Sequence, residues 1–169
     1  EGTLGEIVLC GPSVTHGYRG DHDGATRFDH GELYTGDAGF LIDGQLHVFG
    51  RMGTSLKVNG RSVFAEDLDV LVAEVMAVRP GRLHCVAVND GDVPQVAVFL
   101  DDQRASEQDP AISACITVLR GQLGDQTPLW VVRVPRGGLL RTTSGKPRRA
   151  DMWQQWRSGR LRGAELLAY

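Results

Sequence analysis

Only three cysteines occur in the 169-residue chain, Cys10, Cys85 and Cys115. They lie among apolar residues at no metal-ligand spacing, which argues against a disulfide scaffold and against a zinc site. Buried, reduced thiols in a cytoplasmic protein are expected instead. No apolar run approaches the roughly 20 residues that a membrane-crossing helix needs, and no signal peptide opens the chain. There is no internal repeat and no low-complexity segment. Aromatic residues make up 7% and form no ladder, and no recognised nucleic-acid motif accompanies them, so nucleic acid is not an expected partner. A phosphate loop of the NTPase kind is also missing. Gly145-Lys146 would need a glycine five residues upstream and Ser or Thr downstream, and the chain has Leu140 and Pro147 there.

What is present describes an ordinary soluble globule, with 41% hydrophobic and 23% charged residues. The length fits one domain, or one plus a fragment of another. The chain starts on Glu1 without a methionine and is strand-like by Gly5–Leu9, which reads as a piece of a longer protein. A formal charge of −3 hides a polarity. From Arg133 to Arg162 nine Lys/Arg face one acid, Asp151. Solvated tail, nucleic-acid surface and phosphate-binding face are the readings of such a run, and the last, for a nucleotide or a carrier arm, fits best.

The pattern predicts a strand over 5–18 ending in turns, then a surface loop from Arg19 to Glu32 rich in Gly, Asp and His. His22, Asp23, Asp29 and His30 in that loop match no standard metal spacing, so no metal site is assigned. Short strands at Gly39–Ile42 and Gln45–Phe49 join through Asp43-Gly44, and a second pair, Ser55–Val58 and Arg61–Phe64, through Asn59-Gly60. Both dipeptides are two-residue hairpin signals. A helix over 65–78 follows from the apolar stripe Leu68, Leu71, Val72, Val75, Met76, with acids in its first turn. Strands Leu83–Val88 and Gln95–Leu100 flank an Asn-Asp-Gly-Asp turn. Asp109 caps a helix that opens on Pro110 and runs to Leu123. A strand at Leu129–Val134, the lysine turn, and a helix over Arg148–Arg157 complete the order, with Trp153 and Trp156 as packing anchors. The fold class is α+β.

Four segments occur in order: Gly5-Glu6-Ile7 through Gly17-Tyr18; Tyr34-Thr35-Gly36-Asp37; Asp43-Gly44…Gly50-Arg51…Lys57…Gly60; and Thr143-Ser144-Gly145-Lys146. Together they resemble the C-terminal part of an adenylate-forming (acyl-activating, ANL superfamily) enzyme, a group that spans acyl-CoA synthetases, luciferases, peptide-synthetase adenylation domains and fatty acyl-AMP ligases. The resemblance implies a short antiparallel β segment, residues 1–52, from the end of a large N-terminal domain. A small mobile α+β lid, residues 53–169, would follow, with a β-hairpin and a central sheet flanked by helices.

Carried over residue by residue, the resemblance makes Asp37 a ligand of the ATP ribose, which suits a carboxylate facing a vicinal diol. Arg51 would steady the nucleotide. Lys146 would be the catalytic cation, bridging the α-phosphate and the attacking carboxylate. Gly53 would be the hinge, at a position where relatives usually carry Asp or Lys. Lys57 and Gly60 would face the acceptor side in a second domain orientation. The structural alternatives are a turn-capping Asp37 and solvated lysines at 57 and 146. Magnesium would accompany ATP, with ligands elsewhere in the full protein.

Within the superfamily, Gly60-Arg61, Asp67 and Val78-Arg79-Pro80-Gly81 are closest to the fatty acyl-AMP ligase pattern. The stretch Val63-Phe64-Ala65-Glu66-Asp67-Leu68-Asp69 lacks the proline usual in other branches. The implied partners are a fatty acid, ATP/AMP, the missing N-terminal domain, and an acyl carrier protein with its phosphopantetheine arm. Alternatives are CoA as acceptor in an acyl-CoA synthetase, a peptide-synthetase adenylation domain, or a non-catalytic module that binds a carrier protein or an anionic partner.

Overall fold

The computed structural model describes residues 2–15, 17, 26–52, 55–58, 60–90 and 93–169. The chain divides into two compact units, Glu1–Ser55 and Leu56–Tyr169, and each is described by itself. His22 and Asp23, the hinge Gly53, Asn59 of the second hairpin turn, and Gly91 and Asp92 lie outside the described residues.

The first unit is an antiparallel sheet in which the long strand β3 (Glu32–Ile42) is flanked by β1 (Gly5–Cys10) and β2 (Arg27–Asp29) and also pairs with β4 (Gln45–Arg51). The Asp43-Gly44 hairpin forms as the dipeptide predicts, with both residues at positive φ (50° and 72°). Of the loop expected from Arg19 to Glu32, residues 19–25 lie outside the described residues, and β2 and the start of β3 fall within the remainder. His30 (φ 47°) and Gly31 (φ 84°) make a two-residue turn between them. His-Gly is not among the usual hairpin dipeptides, so the sequence carries no strong hairpin signal there. Gly39–Ile42 likewise proves to be the last third of an eleven-residue strand.

In the second unit, β5 (Ser55–Val58) pairs with β6 (Arg61–Phe64) and leads into α1 (Ala65–Val75). The main sheet has the order β10-β9-β8-β7, with β7 (Leu83–Asp90), β8 (Val93–Leu100), β9 (Leu129–Arg133) and β10 (Glu165–Ala168). Strand β8 runs antiparallel to β7 and parallel to β9, and β10 is antiparallel to β9. The parallel step is bridged by α2 (Pro110–Leu123), the crossover that parallel neighbours require.

Alternation along the strands splits the core. Leu83, Cys85, Val98 and Val131 pack with α1 and α2 on one face, around Leu68, Val72, Ile112 and Leu119. Val86, Phe99 and Val132 pack on the other face with Met152 of α3 (Arg149–Arg157). Strand β8 is therefore covered on both sides, and Val96–Leu100 have no exposure. This is an α+β fold of mostly antiparallel strands. Trp153 and Trp156 are packing residues: both meet the Trp130 ring, at centroid distances of 5.6 Å, and Trp156 meets Phe99 edge-on.

Three expectations need correction. Strand β10 was not expected: Glu165–Ala168 shows no alternation, and although Gly159 and Gly163 turn the chain before it, its strand pairing is with the distant β9. Cys10 is exposed, since it lies on β1 with its Sγ donating to Glu32 Oε1 at 3.5 Å; Cys85 and Cys115 are buried. Helix α1 ends at Val75, three residues early, where Ala77 takes a positive φ of 51°. Among the described residues no helix is long and apolar enough to cross a membrane.

Candidate functional site

In the first unit the Tyr34-Thr35-Gly36-Asp37 segment lies within β3, and a set of hydrogen bonds fixes it. Thr35 Oγ1 donates to the Ile7 carbonyl of β1 at 2.9 Å and accepts the Asp37 N–H at 3.1 Å. Gly36 adopts φ 72°, a left-handed conformation that costs glycine little, and its N–H is held by Glu6 Oε1 at 3.1 Å. The kink turns Asp37 toward β4, where it is registered against Arg51. Arg51 Nη1 lies 3.5 Å from Asp37 Oδ1, and both side chains are partly exposed (49% and 35%). The two residues expected to contact a nucleotide thus form one half-open ion pair. Nearby, the Tyr34 hydroxyl donates to Glu32 Oε2, which raises its pKa, and the Arg27 guanidinium lies 3.5 Å from the Tyr34 ring centroid.

In the second unit Lys146 closes a small hydrogen-bonded hairpin. The Thr142 N–H donates to the Lys146 carbonyl at 2.8 Å, and the Gly145 N–H to the Thr142 carbonyl at 2.9 Å. The Lys146 N–H donates to Thr142 Oγ1 at 3.1 Å, and Arg141 and Pro147 form a bridge. Gly145 at φ 84° makes the turn affordable, with open space around its Cα. Arg141 adds two bonds, to the Gly145 carbonyl at 3.0 Å and to the Gly81 carbonyl. The backbone under Lys146 is therefore pinned while its side chain is exposed. Among the described residues no carboxylate pairs with its ammonium.

Three residues later a second guanidinium anchors the same segment. Arg149 Nη2 reaches Asp69 Oδ2 at 2.7 Å, its Nη1 reaches Glu66 Oε1 at 2.9 Å, and its Nε donates to the Cys85 carbonyl at 2.9 Å. Asp69 also accepts the Cys85 N–H and faces His84 Nδ1 at 3.3 Å. Sequence reading missed this knot because its members come from α1, β7 and α3. The basic run of Arg133–Arg162 is thus no uniform phosphate face. Arg149 is largely buried, Arg133 pairs with Glu165, and Arg148 with Asp151. Lys57 donates to Ser62 Oγ at 2.8 Å across the β5–β6 pair, and Gly60 holds φ 78° in the turn between those strands.

Of the residues considered for metal binding, exposed His30 simply pairs with Asp29 at 2.6 Å. Among the described residues no group of three or more His, Cys, Asp or Glu side chains gathers as a metal site, and no step is assigned to magnesium.

The fold matches those of adenylate-forming enzymes. A structure from a study of fatty acyl-adenylate ligases of E. coli and L. pneumophila superposes with a TM-score of 0.70 at 25% identity, over 92% of this chain and 28% of that one. The McyG A-PCP complex with phenylalanyl-adenylate shares the fold, with a TM-score of 0.70 at 21% identity over 94% of this chain and 26% of that one. Sequence relatives agree. A Mycobacterium leprae protein that carries the name fatty-acid–CoA ligase fadD21 is 28% identical over 176 residues, 92% of this chain and 30% of its own length. The long-chain-fatty-acid–AMP ligase FadD26 of Mycobacterium marinum is 28% identical over 177 residues, 93% of this chain and 30% of its own length. No family model matches the chain. The chain spans about 30% of the length of these relatives, and its likeness to the C-terminal part of an adenylate-forming enzyme, first read from four motifs, holds in both sequence and fold.

Proposed function

We propose that the chain is the C-terminal portion of a fatty acid-adenylating ligase, with residues 1–52 closing a large domain and residues 53–169 forming a small lid that pivots at Gly53. The observation that carries this reading is the Asp37–Arg51 pair, a half-open carboxylate and guanidinium side by side on neighbouring strands. The carboxylate suits a ribose diol and the guanidinium a phosphate. Lys146, pinned in backbone and free in side chain, supplies a cation. In the reaction proposed, a fatty acid carboxylate oxygen attacks the α-phosphorus of ATP and pyrophosphate leaves, giving acyl-AMP. Lys146 Nζ neutralises charge on both reacting groups, in a step that depends on positioning and electrostatics.

The thiol of an acyl carrier protein's phosphopantetheine arm then attacks the acyl carbonyl and AMP departs, with Lys57 and Gly60 on the acceptor side. Relatives named both as CoA ligases and as AMP ligases keep CoA open as the rival acceptor. Competition between CoA and a carrier protein in the full-length enzyme separates the two.

The test is ATP–pyrophosphate exchange by the full-length protein with a panel of fatty acids. Lys146→Ala should lower the rate about 10²–10³-fold, as removal of one transition-state donor does. An unchanged rate would favour a non-catalytic module that binds a carrier or anionic partner. Residues 1–169 alone should show no exchange.

A further inference from the structure

At one end of the sheet in the second unit lies a cavity of about 580 Å³. Its wall carries Arg79 and Arg82 from the turn after α1, Asp101, Asp102 and Arg104 from the turn after β8, and Arg136 from beyond β9. Four guanidiniums thus face two carboxylates, and the excess is positive. Arg82 Nη2 is 3.4 Å from Asp101 Oδ1. Among the described residues no carboxylate pairs with Arg79, Arg104 or Arg136, all three exposed at the rim.

Beneath them Asp101 is 6% exposed. Its Oδ2 accepts the Gly137 N–H at 3.2 Å, while its buried Oδ1 has the Arg82 ion pair at 3.4 Å but no aligned hydrogen bond. Asp102 Oδ1 accepts the Arg104 N–H at 2.9 Å and shapes the turn that presents the guanidinium. A buried carboxylate oxygen held only by a long ion pair keeps the capacity to accept a further hydrogen bond.

We propose that this cavity binds a phosphate group that carries or adjoins a hydroxyl. The rim guanidiniums hold the phosphate oxygens in charge-assisted, fork-like bonds, and the hydroxyl donates to Asp101 Oδ1. A bare, fully ionised anion satisfies only the rim; a hydrogen phosphate or a hydroxyl-bearing phosphate monoester satisfies both. The volume lies within the usual range of small-molecule sites and leaves room for the organic part of a monoester. The inference stands apart from the proposed ligase reaction, because none of these residues was assigned a role in it.

The test is isothermal titration of the 169-residue chain at neutral pH and constant ionic strength with hydrogen phosphate, sulfate and AMP. Phosphate should bind saturably and sulfate about tenfold more weakly, since it has no proton to give Asp101. Arg79→Ala and Arg136→Ala, both at exposed positions, should each weaken phosphate about tenfold, the loss of one charge-assisted bond. AMP binding tighter than phosphate identifies a monoester as occupant, and AMP binding no tighter identifies free phosphate. Amide NMR of the unaltered chain gives a second readout, with phosphate expected to move the Gly137 and Arg104 resonances. The proposal is overturned if phosphate does not saturate, if sulfate binds as tightly, or if a variant carrying both Arg79→Ala and Arg136→Ala keeps full affinity. It fails equally if the shifts map elsewhere, or if only an acidic polypeptide such as polyglutamate binds.

Discussion

Arg149 joins three elements through a single side chain. Its guanidinium satisfies Asp69, Glu66 and the Cys85 carbonyl from a position that is 11% exposed, while Asp69 is 20% exposed. Removing the cation strands a mostly buried carboxylate beside His84. Arg149→Ala should therefore cost about 3 kcal/mol of unfolding free energy in urea titration, the scale of a broken buried pair. The thiols offer a second residue-scale prediction. Burial pushes Cys115 up from 9.0 to about 12, and pushes Cys85 well above 9.0, with Asp69 adding to the rise. A native-state alkylation should therefore modify Cys10 alone, and denaturant should release the other two. Because an unfolded thiol ionises near 9, the stability these groups contribute is complete below that pH. It declines as pH climbs toward 12, at about 1.4 kcal/mol per pH unit for each thiol. Alkaline urea denaturation should show this decline, and Cys115→Ala should make it shallower.

Among the elements, those with local punctuation were the legible ones. Helix α2 runs Pro110–Leu123 as expected because Asp109 accepts the Ala111 N–H at 2.9 Å and Pro110 has no N–H to lose. Asp109→Ala should cost about 1 kcal/mol in thermal or urea unfolding. Strands β5 and β6 also have the expected bounds. By contrast, β2 hides behind a His30-Gly31 turn, and β10 has no pattern of its own. The ties of the lysine hairpin, Arg141 to the Gly81 carbonyl and Thr142 to Lys146, come from side chains that spacing alone does not place.

At the scale of the molecule, each unit has its own hydrogen-bonded sheet, and the second has apolar clusters on both faces of its sheet. A chain cut to residues 56–169 should therefore unfold in a single cooperative transition by circular dichroism, with its tryptophan cluster reporting the same midpoint by fluorescence. A broad transition without cooperativity would show that the second unit requires the first. The ligase proposal belongs to this scale too, since the chain spans about 30% of the length of the relatives it matches.

Short-range chemistry settled most of the elements. Hairpin dipeptides, a capping aspartate and apolar periodicity each act within a few residues, so they can be read from order alone. Asp37, Arg51 and Lys146 entered as residues worth following through the resemblance of their motifs to the adenylate-forming family. Only the tertiary structure decided that Asp37 and Arg51 face each other, that Arg149 is consumed in an internal knot, and that four arginines converge over a buried Asp101. These relations join residues far apart in the chain, and such contacts depend on which strands pair and which helices cover them.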